Sequence, residues 1–166
     1  MTTPFDLMPD NARVWVYQSQ RALTADEQET ITKNTNAFLE QWAAHGKELK
    51  TSFEIRDDRF LIVAVDESFN QATGCSIDAS VAFMKAIDTE YQLDLFDRTK
   101  IAFIFNGQIV IESLSTLKAK VDNGEIPSSA VLVNNSVSSK KELDEDWKQP
   151  VLKSWVSRYF KTLQQN

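Results

Sequence analysis

Histidine and cysteine are almost absent from this sequence, which contains one residue of each, His45 and Cys75. A single cysteine cannot form an intramolecular disulfide or a cysteine-based zinc cluster, so we expect a reducing, cytoplasmic environment. A single histidine would share any metal site with carboxylates alone, and no calcium-loop pattern is present. We therefore expect neither a metal ion nor a cofactor.

Long basic runs and long apolar runs are also absent. The 166-residue chain has a formal net charge of -6, and no run of lysine and arginine exceeds two residues, so a phosphate backbone would be repelled on average. The longest apolar run, residues 60–65, is too short to span a bilayer, and the start of the chain lacks the basic and apolar regions of a signal peptide. We expect no binding to nucleic acid and no membrane insertion.

Glycine and proline occur only four times each, and no glycine-rich catalytic motif is present. The patterns G-x-x-x-x-G-K-[ST], G-x-G-x-x-G and G-x-S-x-G are missing, which removes the usual P-loop, dinucleotide and serine-hydrolase signatures. With 42% hydrophobic and 25% charged residues the composition is that of an ordinary globular protein. Because no repeat or linker is visible, residues 1–166 are predicted to form a single domain.

Local patterns in the first half predict alternating strands and helices. The capping box Thr24-Ala-Asp-Glu27 predicts the start of a first helix, and Gly46 predicts its end near His45. Ser76 is expected to cap a second helix that continues to about Tyr91. Strands are predicted by alternation or by apolar runs at 13–18, 53–56 and 59–65, the last two joined by the turn Asp57-Asp58.

The second half is predicted to contain a hairpin, a short helix, a strand and a final helix. Asn106-Gly107 is the strongest short hairpin signal in the sequence, because both turn residues tolerate a positive φ. Pro150 suits the first turn of a C-terminal amphipathic helix with a broad apolar face. The elements expected here are strands 100–105 and 108–111, a helix over 113–122, a strand over 130–134, a polar loop over 136–146 and the C-terminal helix.

This order predicts an α+β fold with two layers. The first six elements read β-α-β-β-α-β, the order of a ferredoxin-like core, to which the second hairpin strand, short helix, strand and C-terminal helix are added. If the first strand runs up, the first helix ends and the second helix begins at the same lower edge of the sheet. His45, Asp66 and Cys75 are then expected to share that edge.

Two sets of residues are candidates for function. Cys75 precedes the predicted start of a helix, where a thiolate is favoured, so Cys75 as nucleophile, His45 as base and Asp66 or Glu67 as the orienting acid would resemble a Cys-His-acid triad. The alternative interpretation is a small buried cysteine, a helix-terminal histidine and solvated strand-end carboxylates.

The second set is the aromatic cluster of the C-terminal helix, Trp155, Tyr159 and Phe160, because aromatic side chains are frequent anchors of protein interfaces. A protein partner or a homodimer contact through this helix is therefore predicted. The alternative interpretation is that the helix packs on the open face of the sheet.

Several short segments resemble one family of bacterial proteins across most of the chain. They are Val14-Trp-Val-Tyr-Gln18, Trp42-Ala-Ala-His-Gly46, Ser52-Phe53, Val65-Asp-Glu67, Gly74-Cys-Ser-Ile-Asp78 and Ser154-Trp155. The family has no established activity, and its members are sometimes catalogued as ABC-transporter ATPases. That label implies a P-loop, which this chain lacks, so the resemblance implies no functional residue.

The function expected from the sequence is that of a non-enzymatic binding or assembly protein, because catalytic signatures are missing. A cysteine-dependent enzyme that uses Cys75 and His45 is the alternative. Binding of a small ligand in a cleft at the same sheet edge is a third hypothesis, which requires only a concave pocket and a few polar groups.

Overall fold

A computed structural model describes residues 1–160 of the chain and has an α+β architecture with antiparallel sheets, as expected. The chain divides into two compact units. The first comprises residues 1–96 and 136–144, and the second comprises residues 97–135 and 145–160. The first unit is thus built from two separate stretches of sequence. The prediction of a single domain stays a prediction.

The first unit contains a three-stranded antiparallel sheet and two long helices. Its elements, after a 3₁₀ turn at Phe5–Leu7, are β1 (Arg13–Gln18), α1 (Ala25–Gln41), β2 (Ala43–Ala44), β3 (Lys47–Glu48), β4 (Lys50–Arg56), β5 (Phe60–Asp66) and α2 (Gly74–Tyr91). The strand order of the sheet is β1-β5-β4, and every residue of the central strand β5 is buried. These positions confirm the predicted strands and the Asp57-Asp58 hairpin.

The core of the first unit lies between one face of this sheet and the two helices. Alternation along β5 directs Leu61, Val63 and Val65 to this face, where they meet Ile31 and Leu39 of α1. Met84 and Ile87 of α2 belong to the same cluster of buried side chains. Both helices therefore use a single apolar stripe to cover the sheet.

Helix α1 ends at Gln41, four residues before the predicted end at His45, and this prediction was wrong. Trp42 has an extended backbone, and the next six residues form a tight hairpin in which β2 pairs with β3. His45 and Gly46 are the two turn residues, with φ values of 52° and 73°. Gly46 does adopt a positive φ, but it closes a β-turn rather than a helix.

The start of α2 also differs from the prediction. Thr73 is the N-cap, and Ser76 occupies the third helical position, where its hydroxyl accepts a hydrogen bond from the N–H of Thr73. The N–H of Ser76 in turn donates to the Thr73 hydroxyl, which completes a capping box. Cys75 consequently lies within the first turn of the helix and not before it.

The second unit contains a four-stranded antiparallel sheet with the strand order β7-β6-β8-β9. Its elements are β6 (Lys100–Phe105), β7 (Gln108–Ser113), a 3₁₀ turn at Leu114–Thr116, α3 (Leu117–Asp122), β8 (Val131–Val133) and β9 (Lys148–Pro150). Asn106 and Gly107 form the predicted turn, with φ values of 52° and 70°. Strand β6 pairs with β7 and β8 here, although a ferredoxin-like core would place it in the first sheet.

The C-terminal third differs most from expectation. The polar stretch 136–146, predicted to be a loop, contains α4 (Lys140–Asp146), which spans the third boundary between the units along the chain. The predicted C-terminal α-helix is instead a pair of 3₁₀ helices, Val151–Lys153 and Trp155–Phe160. Pro150 belongs to β9 and not to a helix. Leu163, assigned to the same helix, lies outside the described residues.

Ser154 explains why one long helix does not form. Its backbone is extended, with φ -112° and ψ 177°, and so it separates the two 3₁₀ helices. Its hydroxyl donates to the carbonyl of Val151 at 2.8 Å and accepts from the N–H of Val156 at 3.3 Å. These local hydrogen bonds compete with the backbone pattern of an α-helix.

Candidate functional site

The elements that carry His45 and Cys75 are held next to each other in the first unit. The indole Nε1 of Trp42, directly before the hairpin, donates to the carbonyl of Ser76 in the first turn of α2 at 2.7 Å. Asn70, in the loop before α2, donates its side-chain amide to the carbonyls of Ala44, Lys47 and Glu48. The hairpin and the helix start therefore form one connected region.

The side chains of the proposed triad are not joined within this region. His45 and Cys75 are both exposed, and within residues 1–160 neither side chain makes a hydrogen bond or an ion pair. A histidine base must lie within hydrogen-bond reach of the thiol that it activates. The structure brings the two elements together without forming the nucleophile–base contact.

Asp66 is buried and already has partners. Its carboxylate accepts hydrogen bonds from the hydroxyl and the N–H of Ser68, and Lys50 Nζ lies 3.5 Å away. The hydrogen bond from the Ser68 hydroxyl, supported by the Ser68 N–H and by Lys50, holds the pKa of Asp66 below its usual value of 3.8. Asp66 therefore organises the loop that follows β5 and does not orient His45.

Glu67, the other acid considered for the triad, is also committed to this loop. Its carboxylate accepts from the N–H of Ala72 at 3.1 Å and lies 3.8 Å from Arg13 Nη1. Among residues 1–160 no group of three or more histidine, cysteine, aspartate or glutamate side chains is arranged to hold a metal ion.

The predicted aromatic cluster is divided by the 3₁₀ geometry. Phe160 is fully buried in the core of the second unit together with Val156. Trp155 is 45% exposed, Leu152 is 42% exposed and Tyr159 is partly buried against the core. A 3₁₀ helix has three residues per turn, so Trp155 and Arg158 align on one side of it. Phe160, one of the predicted partner-binding residues, is therefore a core residue in this structure.

Arg158 contacts the rings of both Trp155 and Tyr159. Its guanidinium carbon is 5.6 Å from the centroid of the Trp155 ring and 5.0 Å from that of Tyr159. The two rings meet edge to face at 6.3 Å, and Arg158 Nη2 donates to the Tyr159 hydroxyl at 3.2 Å. Cation–π contacts of this kind favour the observed orientation of the rings by about 0.5–1 kcal/mol at exposed sites. We call Leu152, Trp155, Arg158 and Tyr159 the Trp155 surface.

Sequence reasoning did not identify Arg158 and Leu152 as site residues. The stretch Trp155-Val-Ser-Arg158-Tyr159 does place an arginine between two aromatics, which is a visible cation–π signal. An α-helical periodicity, however, assigns the whole apolar set to one buried face. Only the 3₁₀ geometry separates the exposed members from Val156 and Phe160.

No protein-family model, no curated protein and no solved structure matches this chain. The resemblance to a bacterial family therefore stays an expectation. Within residues 1–160, no helix has the length and apolar character needed to cross a lipid bilayer.

Proposed function

We propose that this chain is a non-enzymatic binding protein that recognises another protein through the Trp155 surface. The observation that carries this proposal is the exposure of Trp155, 45%, in an arrangement already ordered by Arg158 and Tyr159. Tryptophan, tyrosine and arginine are the residues most enriched among interface hot spots. Here all three occur in one contiguous cluster.

The rigidity of the cluster supports a role in recognition. The 3₁₀ helix that carries it is anchored from below by Val156 and Phe160, both fully buried. Side chains held in place before binding lose less conformational freedom when a partner arrives, which favours affinity. Leu152, at 42% exposure, extends the apolar area beside Trp155.

Affinity capture with substituted proteins tests this proposal. Immobilised wild-type protein is incubated with lysate of the source cells, and captured proteins are quantified against a Trp155→Ala variant. We expect at least one partner whose capture falls by about tenfold or more, as expected for loss of a hot spot of about 2 kcal/mol. Purified partner is then titrated to measure the affinity directly.

A matched control is Phe69→Ala. Phe69 is 56% exposed but lies in the first unit, in the loop after β5. This variant removes a large exposed aromatic side chain without altering the Trp155 surface, so partner capture is expected to equal that of the wild type. Equal capture by all three proteins, or no specific partner at all, would contradict the proposal.

The cysteine-dependent enzyme has weaker support and stays a prediction. Its thiol is exposed in the first turn of α2, but among residues 1–160 the His45 side chain has no hydrogen-bond partner, and Asp66 interacts with Ser68 and Lys50. No base contacts the thiol within the part of the chain that the structure describes.

The ferredoxin-like description and the cytoplasmic location are likewise proposals. The order β1-β5-β4 agrees with three of the four strands of a ferredoxin-like sheet, and both helices contribute to the core on one face of it. A free, exposed cysteine is typical of a protein that functions in a reducing compartment.

A further inference from the structure

The edges of the two sheets are protected to different degrees. The start of β1 is covered by the segment 138–139, through a hydrogen bond from Val14 N–H to the Ser138 carbonyl and a bridge between Arg13 and Ser139. The start of β4 is covered by residues 1–3, which pair with Thr51. Strand β9 is only three residues long and ends in Pro150. Short strands, proline and covering segments are the usual protection of a sheet edge against pairing with another chain.

Strand β7 has none of these protections. It is six residues long, contains no proline or lysine, and pairs only with β6 among the strands of the described chain. Its sequence Gln108-Ile-Val-Ile-Glu-Ser113 contains three consecutive β-branched apolar residues, each partly exposed. Residues 15–17 of β1 and 53–55 of β4 are not covered in this way either, but both stretches are shorter than β7. In β7 itself, Glu112 forms an ion pair with Lys120, whose Nζ lies 3.9 Å from its carboxylate.

The hairpin register shows which backbone groups of β7 face outward. The N–H of Leu114 donates to the carbonyl of Thr99 at 2.8 Å, so the pair 99–114 is hydrogen-bonded. Hydrogen-bonded and non-hydrogen-bonded pairs alternate along an antiparallel ladder, so Gln108, Val110 and Glu112 bond to β6. The N–H and C=O groups of Ile109 and Ile111 therefore point away from the sheet. No other part of the chain bonds to them in the described residues.

We propose that β7 pairs with β7 of a second copy of this chain, forming a symmetric antiparallel homodimer with a continuous sheet across the interface. This dimer uses residues other than the Trp155 surface, so it does not depend on the proposed function. In a register centred on Val110, Ile109 lies opposite Ile111 of the second copy, and Ile111 lies opposite Ile109 of the second copy. Both pairs then exchange hydrogen bonds through the outward-facing N–H and C=O groups.

Side-chain complementarity favours a second copy as the occupant of this edge. In the register centred on Val110, the Ile109 and Ile111 side chains of both copies form one apolar row on the same face of the sheet. Gln108 lies opposite Glu112 of the second copy, where an amide can donate to a carboxylate. No two like charges lie opposite each other in this register. A register that placed Glu112 opposite Glu112 of the second copy would bring two carboxylates together and would be disfavoured.

The first test measures mass and amide exchange on the unmodified protein. Light scattering or sedimentation over about a hundredfold range of concentration should show a monomer converting to a dimer by mass action. Amide hydrogen exchange should show that the N–H groups of Ile109 and Ile111 become protected as the dimer forms. The N–H groups of Val110 and Glu112 should be protected at every concentration, because they bond to β6.

The second test uses charge substitutions at Gln108, which is exposed beside the turn. Gln108→Glu would place two carboxylates opposite each other twice per dimer, and we expect the dimer to weaken by about two- to tenfold. Gln108→Lys would pair an ammonium with Glu112 of the second copy, and we expect strengthening by a similar factor. Ser128→Glu and Ser128→Lys, at an exposed position outside β7, are matched controls and should leave the affinity unchanged.

Several outcomes would overturn this proposal. A mass that remains monomeric throughout the concentration range would remove it. Dimerisation without added protection at Ile109 and Ile111 would assign the interface to another surface. The register would be excluded if Gln108→Glu and Gln108→Lys changed the dimer affinity in the same direction. It would also be excluded if they changed the affinity no more than the Ser128 controls do. A dimer lost on Trp155→Ala would also assign the contact to the Trp155 surface instead.

Discussion

At the scale of single residues, the backbone conformation at Gly46 was predictable but its context was not. A glycine after a helical pattern indicates a positive φ, and Gly46 has one, at 73°. The same signal serves a helix end and a two-residue β-turn, and the sequence does not distinguish between them. His45 shares the turn with a φ of 52°, a value more usual for Asn or Asp. Asn106-Gly107 was recognised because its first residue is the usual one.

The chemistry of Cys75 is also decided at this scale. Its thiol is exposed, and no imidazole contacts it within the described residues. We predict that His45→Ala leaves the rate of alkylation of native Cys75 by iodoacetamide unchanged, within a factor of about two, between pH 6 and 9, because no proton is shared between these groups. The rate is measured by quenching the reaction at a series of times and determining the alkylated fraction by mass spectrometry.

The control for this experiment is Cys75→Ser, which should show no labelling because Cys75 is the only cysteine. A fall in the alkylation rate of tenfold or more in His45→Ala would contradict the prediction. It would instead favour the cysteine-dependent enzyme over the binding protein.

At the scale of elements, alternation with period two and strong turn signals predicted the strands and hairpins correctly. Helical periodicity near the C-terminus predicted an α-helix that does not form. Strands β1, β4, β5, β6 and β7 lie where alternation or apolar runs placed them. The apolar residues from Val151 to Phe160 fit a period of 3.6 but form 3₁₀ helices. The hydrogen bonds of the Ser154 hydroxyl favour the break between the two 3₁₀ helices over a continuous α-helix. A hydrophobic pattern does not show hydrogen bonds of this kind.

An ion pair connects the start of α1 with the end of α2. Arg21 donates from Nη1 and Nη2 to the two carboxylate oxygens of Glu27 at 2.8 and 2.6 Å, and Nη2 also donates to the carbonyl of Tyr91. Glu27 accepts from the N–H of Thr24 as part of the capping box. The Arg21 hydrogen bond and the Thr24 N–H lower the pKa of Glu27 from 4.5 to about 2.

This shift predicts a pH dependence of stability. Because the pKa of Glu27 is lower in the folded state, its contribution is present above about pH 4.5 and is lost as the pH falls towards 2. Glu27→Gln should therefore lower the free energy of unfolding at pH 7 by up to about 1 kcal/mol, since the pair is largely solvated. The difference from wild type should shrink steadily between pH 4.5 and 3.

Chemical denaturation at a series of pH values measures both proteins. Glu29→Gln is the matched control, since Glu29 is exposed on the same helix and makes no ion pair in the described chain. A difference that stays constant from pH 7 to pH 3 would show that Glu27 acts through its shape and not its charge.

At the scale of the whole molecule, the strand partners could not be read from the sequence. The predicted strands and helices of the order β-α-β-β-α-β are present, but the unpredicted hairpin of β2 and β3 is inserted after α1, and β6 joins β7 and β8 and not β1. Order along the chain leaves open which edge a strand will occupy, because pairing depends on contacts between distant residues. The covering of β1 by residues 138–139 is one such contact. Residues 138–139 lie at the edge of β1 where the fourth strand of a ferredoxin-like sheet would pair.

The discontinuous first unit leads to a prediction about cooperativity. Its segments 1–96 and 136–144 alternate along the chain with the two segments of the second unit, so the chain passes between the units three times. We predict one unfolding transition. Leu61→Ala and Phe103→Ala, fully buried in the first and second unit respectively, should each lower its midpoint through a loss of about 2–5 kcal/mol.

Thermal and denaturant unfolding followed by circular dichroism and calorimetry measure this behaviour. The exposed substitution Leu114→Ala serves as a control with little expected change. Two separate transitions, with each core variant shifting only one, would show that the units unfold independently and would contradict the single-domain prediction.

The indole of Trp42 is buried and hydrogen-bonded to the first turn of α2, which gives this protein an intrinsic optical probe. Detachment of that helix start would expose the ring to water and shift its fluorescence to longer wavelength. Local opening of the region that carries His45 and Cys75 can thus be followed without any added dye. In a variant in which Trp15, Trp147 and Trp155 are replaced by phenylalanine, Trp42 would be the source of all the indole emission.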